Sequence, residues 1–292
     1  MKRLFLVLAI MAMGTLSATA QNTLTKVYNF GEITSIEAGS IYDIEVTKGN
    51  SGKITINYDE VFQDKLIVKY VNGKLYLSVD TDKMTSKERR KSVDAMKVYL
   101  QMPSIEEIDL SGASKLTAKG SFKTKELEID LSGASHVKGL EISGKELSID
   151  CSGATSLGMS GDFTNVDIET SGASNVKWNG NSNTIEIEAS GATGVTIAGD
   201  HKHADIETSG ASNIKLTGTA DYINGVCTGA SSIKAQEYTA GNGKIELSGA
   251  SNAKIKCTGE LKVMVSRASS LTHYGNPKII NLNKDNNIKK GD

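Results

Sequence analysis

The stretch IEIEASGATGVTIAG, residues 185–199, decides how this chain is read, because close variants of it recur along the second half. Ile185, Ile187 and Ala189 alternate with Glu186 and Glu188, a period of two that marks a strand with one buried and one wet face. Ser190-Gly191-Ala192 interrupts, and Val195 and Ile197 resume the alternation. Aligned on the Gly-Ala pair, the copies put Gly112, Gly133, Gly153, Gly172, Gly191, Gly210, Gly229 and Gly249 in one column, with Arg267-Ala268 as a degenerate ninth. Spacings of 18 to 21 residues are the signature of a solenoid, in which each repeat stacks on its neighbours.

The columns around the glycine assign the faces. Four residues before it stand Ile108, Ile129, Ile149, Ile168, Ile187 and Ile206, and two before it Leu110, Leu131, Cys151, Thr170, Ala189 and Thr208. Between them run Asp109, Asp130, Asp150, Glu169, Glu188 and Glu207. After the corner a second strand turns Leu116, Val137, Leu157, Val176, Val195 and Ile214 inward. Each strand can pair with its equivalent one coil away while the inner faces share one narrow core. That predicts an all-β fold: a parallel β-helix of 19–21-residue coils, right-handed by the general crossover preference, with nine coils spanning about 40 Å. Gly at the corner supplies φ > 0 without steric cost, Ala fits tight stacking, and the flanking hydroxyls can bond neighbouring backbone or their own copies.

Residues 21–102 read as an irregular, β-strand-rich N-terminal section placed to cover one end of the stack, with SKERRK at 86–91 as an exposed loop. The repeats occupy 103–276, and a polar C-terminal tail, 277–292, is expected to end the stack with its last residues loose. Residues 1–20 have a basic start, an apolar run from Leu4 to Met13 and an Ala-Thr-Ala end, the pattern of a secretory signal peptide. No cysteine follows it to accept a lipid, and no later stretch is apolar enough for a transmembrane segment. Without Lys2 and Arg3 the bases fall to 31 against 34 acids, a net of −3, which excludes the basic face that nucleic acid needs.

Chemistry is sparse by comparison. Glu107, Glu128, Asp167, Glu186 and Asp205 add a second acidic column, so stacked carboxylates repel one another, and Ca²⁺ could relieve that. A solvated, aggregation-blocking face is the plainer reading, supported by a matching column of Lys138, Lys177, Lys215, Lys234 and Lys254. The candidate binding surface is therefore Asp150, Asp167, Glu169, Glu186, Glu188, Asp205 and Glu207, with no catalytic residue, cofactor or dedicated metal site expected. Cys151 and Cys227 share a column four coils apart, too far for a disulfide. In an extended segment His201 and His203 would face one side, yet without a third ligand they make only a weak metal candidate. Trp178 aligns with Met159 and Ile197 and reads as core. No nucleophile elbow, zinc signature or phosphate loop occurs, and Arg267 is the one arginine of the repeats.

The segments GSIYDIEVTKG, GKLYLSV and VYLQMPSIEEIDLSGAS, the serial SGAS/SGAT corners and HYGNPKI together resemble the putative auto-transporter adhesin, head GIN domain family of bacterial exported proteins, over roughly residues 27–280. The resemblance implies a β-helix-like protein of the periplasm or cell surface, and no catalytic residues. The polar stretch after the repeats is too short for a membrane-embedded barrel, so attachment would have to come from elsewhere. The expectation is an exported, non-enzymatic, adhesin-like binding module of the cell envelope or surface, taking a glycan or protein ligand. The alternatives are a polysaccharide-processing enzyme on a β-helix scaffold and a purely structural envelope protein.

Overall fold

The structure, a computed structural model, describes residues 23–90, 94–266, 268–283 and 287–292. The expected leader over 1–20 and Arg267 lie outside them. The chain is nearly all strand, and from residue 107 onward it winds as the expected parallel solenoid. Ile129 sits in register with Ile108 below and Ile149 above, and the column continues through Ile168, Ile187 and Ile206. All of these isoleucines are buried, as are Leu116, Val137, Leu157, Val176, Val195 and Ile214 on the second strand. Where Gly225 interrupts the isoleucine column, the Cδ1 atoms of Ile245 and Ile233 reach into the space.

All eight corner glycines have φ between +66° and +78°. A Cβ on Gly191 would stand 2.6 Å from the Gly172 carbonyl oxygen, so the position requires glycine for space as well as for conformation. The hydroxyls on either side of the Gly-Ala pair behave differently. Those after it, such as Thr155, Ser174, Thr193 and Ser212, are buried and bond one another between coils: Thr155 Oγ1 donates to Ser174 Oγ at 2.9 Å and Thr193 Oγ1 to Ser212 Oγ at 3.1 Å. Those before it, such as Ser171, Ser190 and Ser209, lie at the surface. A second glycine column was not anticipated. Gly161, Gly180, Gly199 and Gly218 line the next corner, where a Cβ would come within 2.0 Å of the backbone one coil below.

The N-terminal section is woven into the stack. Strands Ser35–Ser40 and Tyr42–Lys48 form a coil directly beneath Glu107–Gly112 and Lys115–Lys119, pairing Ile36 with Ile108 and Ile44 with Leu116 in parallel. Lys74–Val79 and Met96–Met102 form a further coil below that one. Spatial order therefore departs from chain order: the first coil is sandwiched between two that follow it in sequence. The lower end is finished by antiparallel strands, Leu66–Val71 on one side and Lys53–Asp59 with Thr23–Asn29 on the other. These strands end the parallel ladder and bring Lys69 to the last edge. SKERRK is not wholly a loop. Ser86–Arg90 is a short helix, stabilised because Thr85 Oγ1 accepts from the Glu88 N–H at 3.3 Å while the Glu88 carboxylate accepts from the Thr85 N–H at 2.7 Å.

The upper end runs past residue 276. Lys278–Asn281 and Ile288–Lys290 pair in parallel with the coil below, so these last residues are ordered in strand rather than loose. Ile279, paired with buried Leu261, continues the inner column there. Twelve coils then stack over roughly 50 Å at the usual strand spacing.

The three cysteines are free and buried, and loss of water pushes the Cys151 and Cys227 thiols up to about 12. Thiol reagent should therefore find none of them quickly in the native protein and all three after denaturation; a native Cys151–Cys227 bond would break the register. Gly191→Val should lower the thermal midpoint by several degrees or prevent folding, since the strain alone costs about 1–3 kcal/mol before the backbone clash is counted. Gly158→Ala, whose Cβ would meet nothing within 4 Å, should melt like the parent. Equal melting of the two variants would remove the corner assignment.

Candidate binding face

The acidic columns lie on the strand that precedes each Gly corner, and alternation turns them outward. Register aligns Asp150, Glu169, Glu188 and Glu207 in one row, and Asp167, Glu186 and Asp205 in the next. All seven are exposed. The row continues downward through Asp130 and Asp109 to Glu37, on the coil supplied by the N-terminal section. Lysines occupy the following strand across the corner, where Lys215 stacks on Lys234 and Lys234 on Lys254. The two signs of charge are thus sorted onto different faces.

Partial burial, and then mutual repulsion, holds several carboxyls of the ladder above the ordinary range. Asp130 is raised to about 6, first by partial loss of water and then by Glu128, Asp109 and Asp150 around it. Asp109 and Glu186 shift upward for the same two reasons. The lower end is relieved by Lys74, whose Nζ binds Glu107 and lies 3.0 Å from Glu37. From Glu128 to Glu207 no residue of these acidic rows has an ion-pair partner among the described residues.

Beside the acid row runs a row of small hydroxyl residues, the Ser or Thr just before each glycine. Together they make a shallow groove of about 300 Å³, with Asp150, Glu169, Glu188 and Glu207 as its ridge and Ser171, Ser190, Ser209 and Thr228 as its floor. The sequence pattern assigned those serines only to bracing; their outward turn is settled by the strand parity two residues earlier.

Other sequence candidates separate. His201 is buried, stacked on Trp178 at 5.6 Å between ring centres, with Ser182 Oγ 2.9 Å from Nδ1, whereas His203 is exposed near Tyr222. The burial pattern changes phase within the continuous strand Gly194–Thr208, with Lys202 and His203 both exposed after buried His201, so the alternation that would place both histidines on one side is broken. Burial lowers His201 to about 4 against the opposing pull of Asp200. Trp178 is core, its Nε1 donating to the Gly161 carbonyl at 3.0 Å. Among the described residues no three His, Cys, Asp or Glu side chains are grouped to hold a metal ion, and no helix is long and apolar enough to cross a membrane.

A β-solenoid with a repeating surface of carboxylates and hydroxyls defines a class of scaffold. The chain belongs to the putative auto-transporter adhesin, head GIN domain family, whose model matches residues 32–180 and 167–277. It is similar to a crystal structure of a putative lipid binding protein from Parabacteroides distasonis at 14% identity, covering 93% of this chain and 95% of that one with a TM-score of 0.48. A putative adhesin from Parabacteroides merdae is similar at 14% identity, with 93% and 94% covered and a TM-score of 0.46. No curated protein matches.

The titration of Asp130 can be tested directly. Its folded value lies above the unfolded one, so the folded state holds the proton longer. Stability contributed there falls as pH rises from about 4, the ordinary Asp value, to about 6. Asp130→Asn should therefore melt above the parent at neutral pH, with the gap closing as pH approaches 4. A gap independent of pH would contradict the repulsion described.

Proposed function

We propose that this protein is an exported, non-enzymatic adhesin-like module that binds a linear polymer, most simply a glycan chain, along the groove between its acidic ridge and its hydroxyl floor. The observation that carries this reading is the repetition itself. One carboxylate and one hydroxyl recur at every coil from Asp150 to Glu207, at about the 4.8 Å strand spacing, close to the length of one sugar unit in an extended chain. Carboxylates accept from sugar hydroxyls, and serine hydroxyls both donate and accept. Family membership is consistent with a binding role. The leader pattern of residues 1–20 suits an exported location.

The test is binding of the mature protein to an array of glycans and host-matrix proteins, with and without calcium. Saturable binding to a linear glycan, weakened about tenfold or more by combined Glu169→Gln and Glu188→Gln, is expected. Dependence on calcium would put the ion between carboxylates and ligand. A blank array would overturn the proposal in favour of a structural role, and turnover of a polysaccharide would overturn its non-enzymatic part.

A further inference from the structure

We infer that the lower end of the groove is a closed terminal subsite for a single neutral sugar ring, so that the protein grips the end of a glycan chain; this rests on the glycan reading above. The outer face here is built from four strands drawn from three separate parts of the chain: the hairpin Leu66–Val71 and Lys74–Val79, Ser35–Ser40, and Glu107–Gly112. Lys69, Tyr76, Glu37 and Asp109 form one row across them, and Ile67, Ser78, Gly39 and Ser111 the next. Gly39 has no side chain and its neighbours are serines, so the second row sinks into a cleft of about 250 Å³. That is below the ~300–1,000 Å³ of clefts that hold drug-sized ligands, and suits one ring rather than several.

The polar groups converging on the cleft differ from those of the rest of the groove. Lys69 is exposed and has no carboxylate partner among the described residues, because the nearby pair of acids is already engaged by Lys74. Asp109 lacks an ion-pair partner as well, and supplies an acceptor. Ser78 and Ser111 add hydroxyls, Ile67 gives apolar surface, and Tyr76, whose ring also carries the Lys74 ammonium 5.3 Å from its centre, adds an aromatic edge to the lining. A donor, an acceptor, hydroxyls and an aromatic ring around one dip are the parts of a small-ligand site. Between Asp150 and Glu207 the lining of the groove is carboxylates, hydroxyls and Ala189, with no basic or aromatic side chain.

Charge selects the ligand. Glu37, Glu107, Asp109 and Glu128 outnumber Lys69 and Lys74 here by four to two even with Lys74 paired to Glu37 and Glu107, so the net negative charge disfavours uronic, sialic or sulfated sugars, while Lys69 repels an amine at the same place. A neutral ring satisfies both. Position selects the chain end: among the described residues Leu66–Val71 has one strand partner, Lys74–Val79, and no described coil continues the groove beyond it.

The experiment titrates methyl glycosides of glucose, galactose and mannose, and methyl glucuronoside, into isotope-labelled mature protein followed by NMR. At least one neutral glycoside should shift resonances around Glu37, Lys69, Tyr76 and Asp109. Lys69→Met and Tyr76→Ala, both on the surface and checked by thermal melting, should each weaken that binding about tenfold, and Lys234→Met on the lysine face should not. The glucuronoside should leave the spectrum unchanged. Shifts confined to Asp150–Glu207, or polymer binding on the array with no glycoside bound, would overturn the terminal subsite while leaving the groove reading standing. Tight binding of the glucuronoside would overturn the charge argument and with it the assignment of a neutral ring. If neither polymer nor glycoside binds, both readings fall together.

Discussion

At each corner the amide of the Ala after the glycine donates to the carbonyl of the glycine one coil below, at 2.7–2.8 Å from Ala134 on Gly112 to Ala250 on Gly229. That bond exists because nothing projects from the glycine Cα into the gap. It holds successive corners at strand spacing, and once they are fixed every position of one coil lies over its equivalent in the next. The isoleucine column, the buried Ser/Thr chain and the acid rows are consequences of that register. Removing a buried methylene group from one column would cost a local cavity, with losses of about 2–5 kcal/mol for a truncated Ile. Inserting a Cβ at the corner instead displaces everything that depends on the alignment.

The same register has an electrostatic cost. Stacking identical repeats puts like charges over like, so from Asp150 to Glu207 carboxylate lies over carboxylate with no lysine in the row. The ion pairs that do form lie off the middle of the acid rows: Lys74 with Glu37 at the bottom, Lys215 with Glu237 on the following strands, and Lys244 with Glu246 and Lys278 with Glu260 near the top. The unpaired middle keeps a raised Asp130, and its carboxylates remain available to hydroxyl donors or cations.

How much of this was legible follows from how local each signal is. The corner glycines, the buried columns and the outward acids needed only spacing and parity, which neighbouring residues carry within one repeat. The coil formed by Ser35–Ser40 and Tyr42–Lys48 was hidden because Ser40, at φ 146°, takes the corner place beneath Gly112, leaving no Gly-Ala to align on. The second glycine column was hidden by an uneven inter-coil segment, where Gly161 and Gly180 are not flanked by a repeated motif. His201 and His203 show the opposite limit: strict alternation fails where Lys202 and His203 are both exposed within one continuous strand.

These limits bear on where specificity can arise. A surface that repeats every coil offers each bound unit the same contacts as the next, so a polymer can slide along it by one coil without gain or loss. Register and direction have to be set by something that occurs once. In this molecule the aperiodic chemistry gathers at the N-terminal end, where antiparallel strands bring Lys69 and Tyr76 against the first members of the acid row. The strands that stop the stack from growing are thus also the ones that make one end of its surface different from every other point along it.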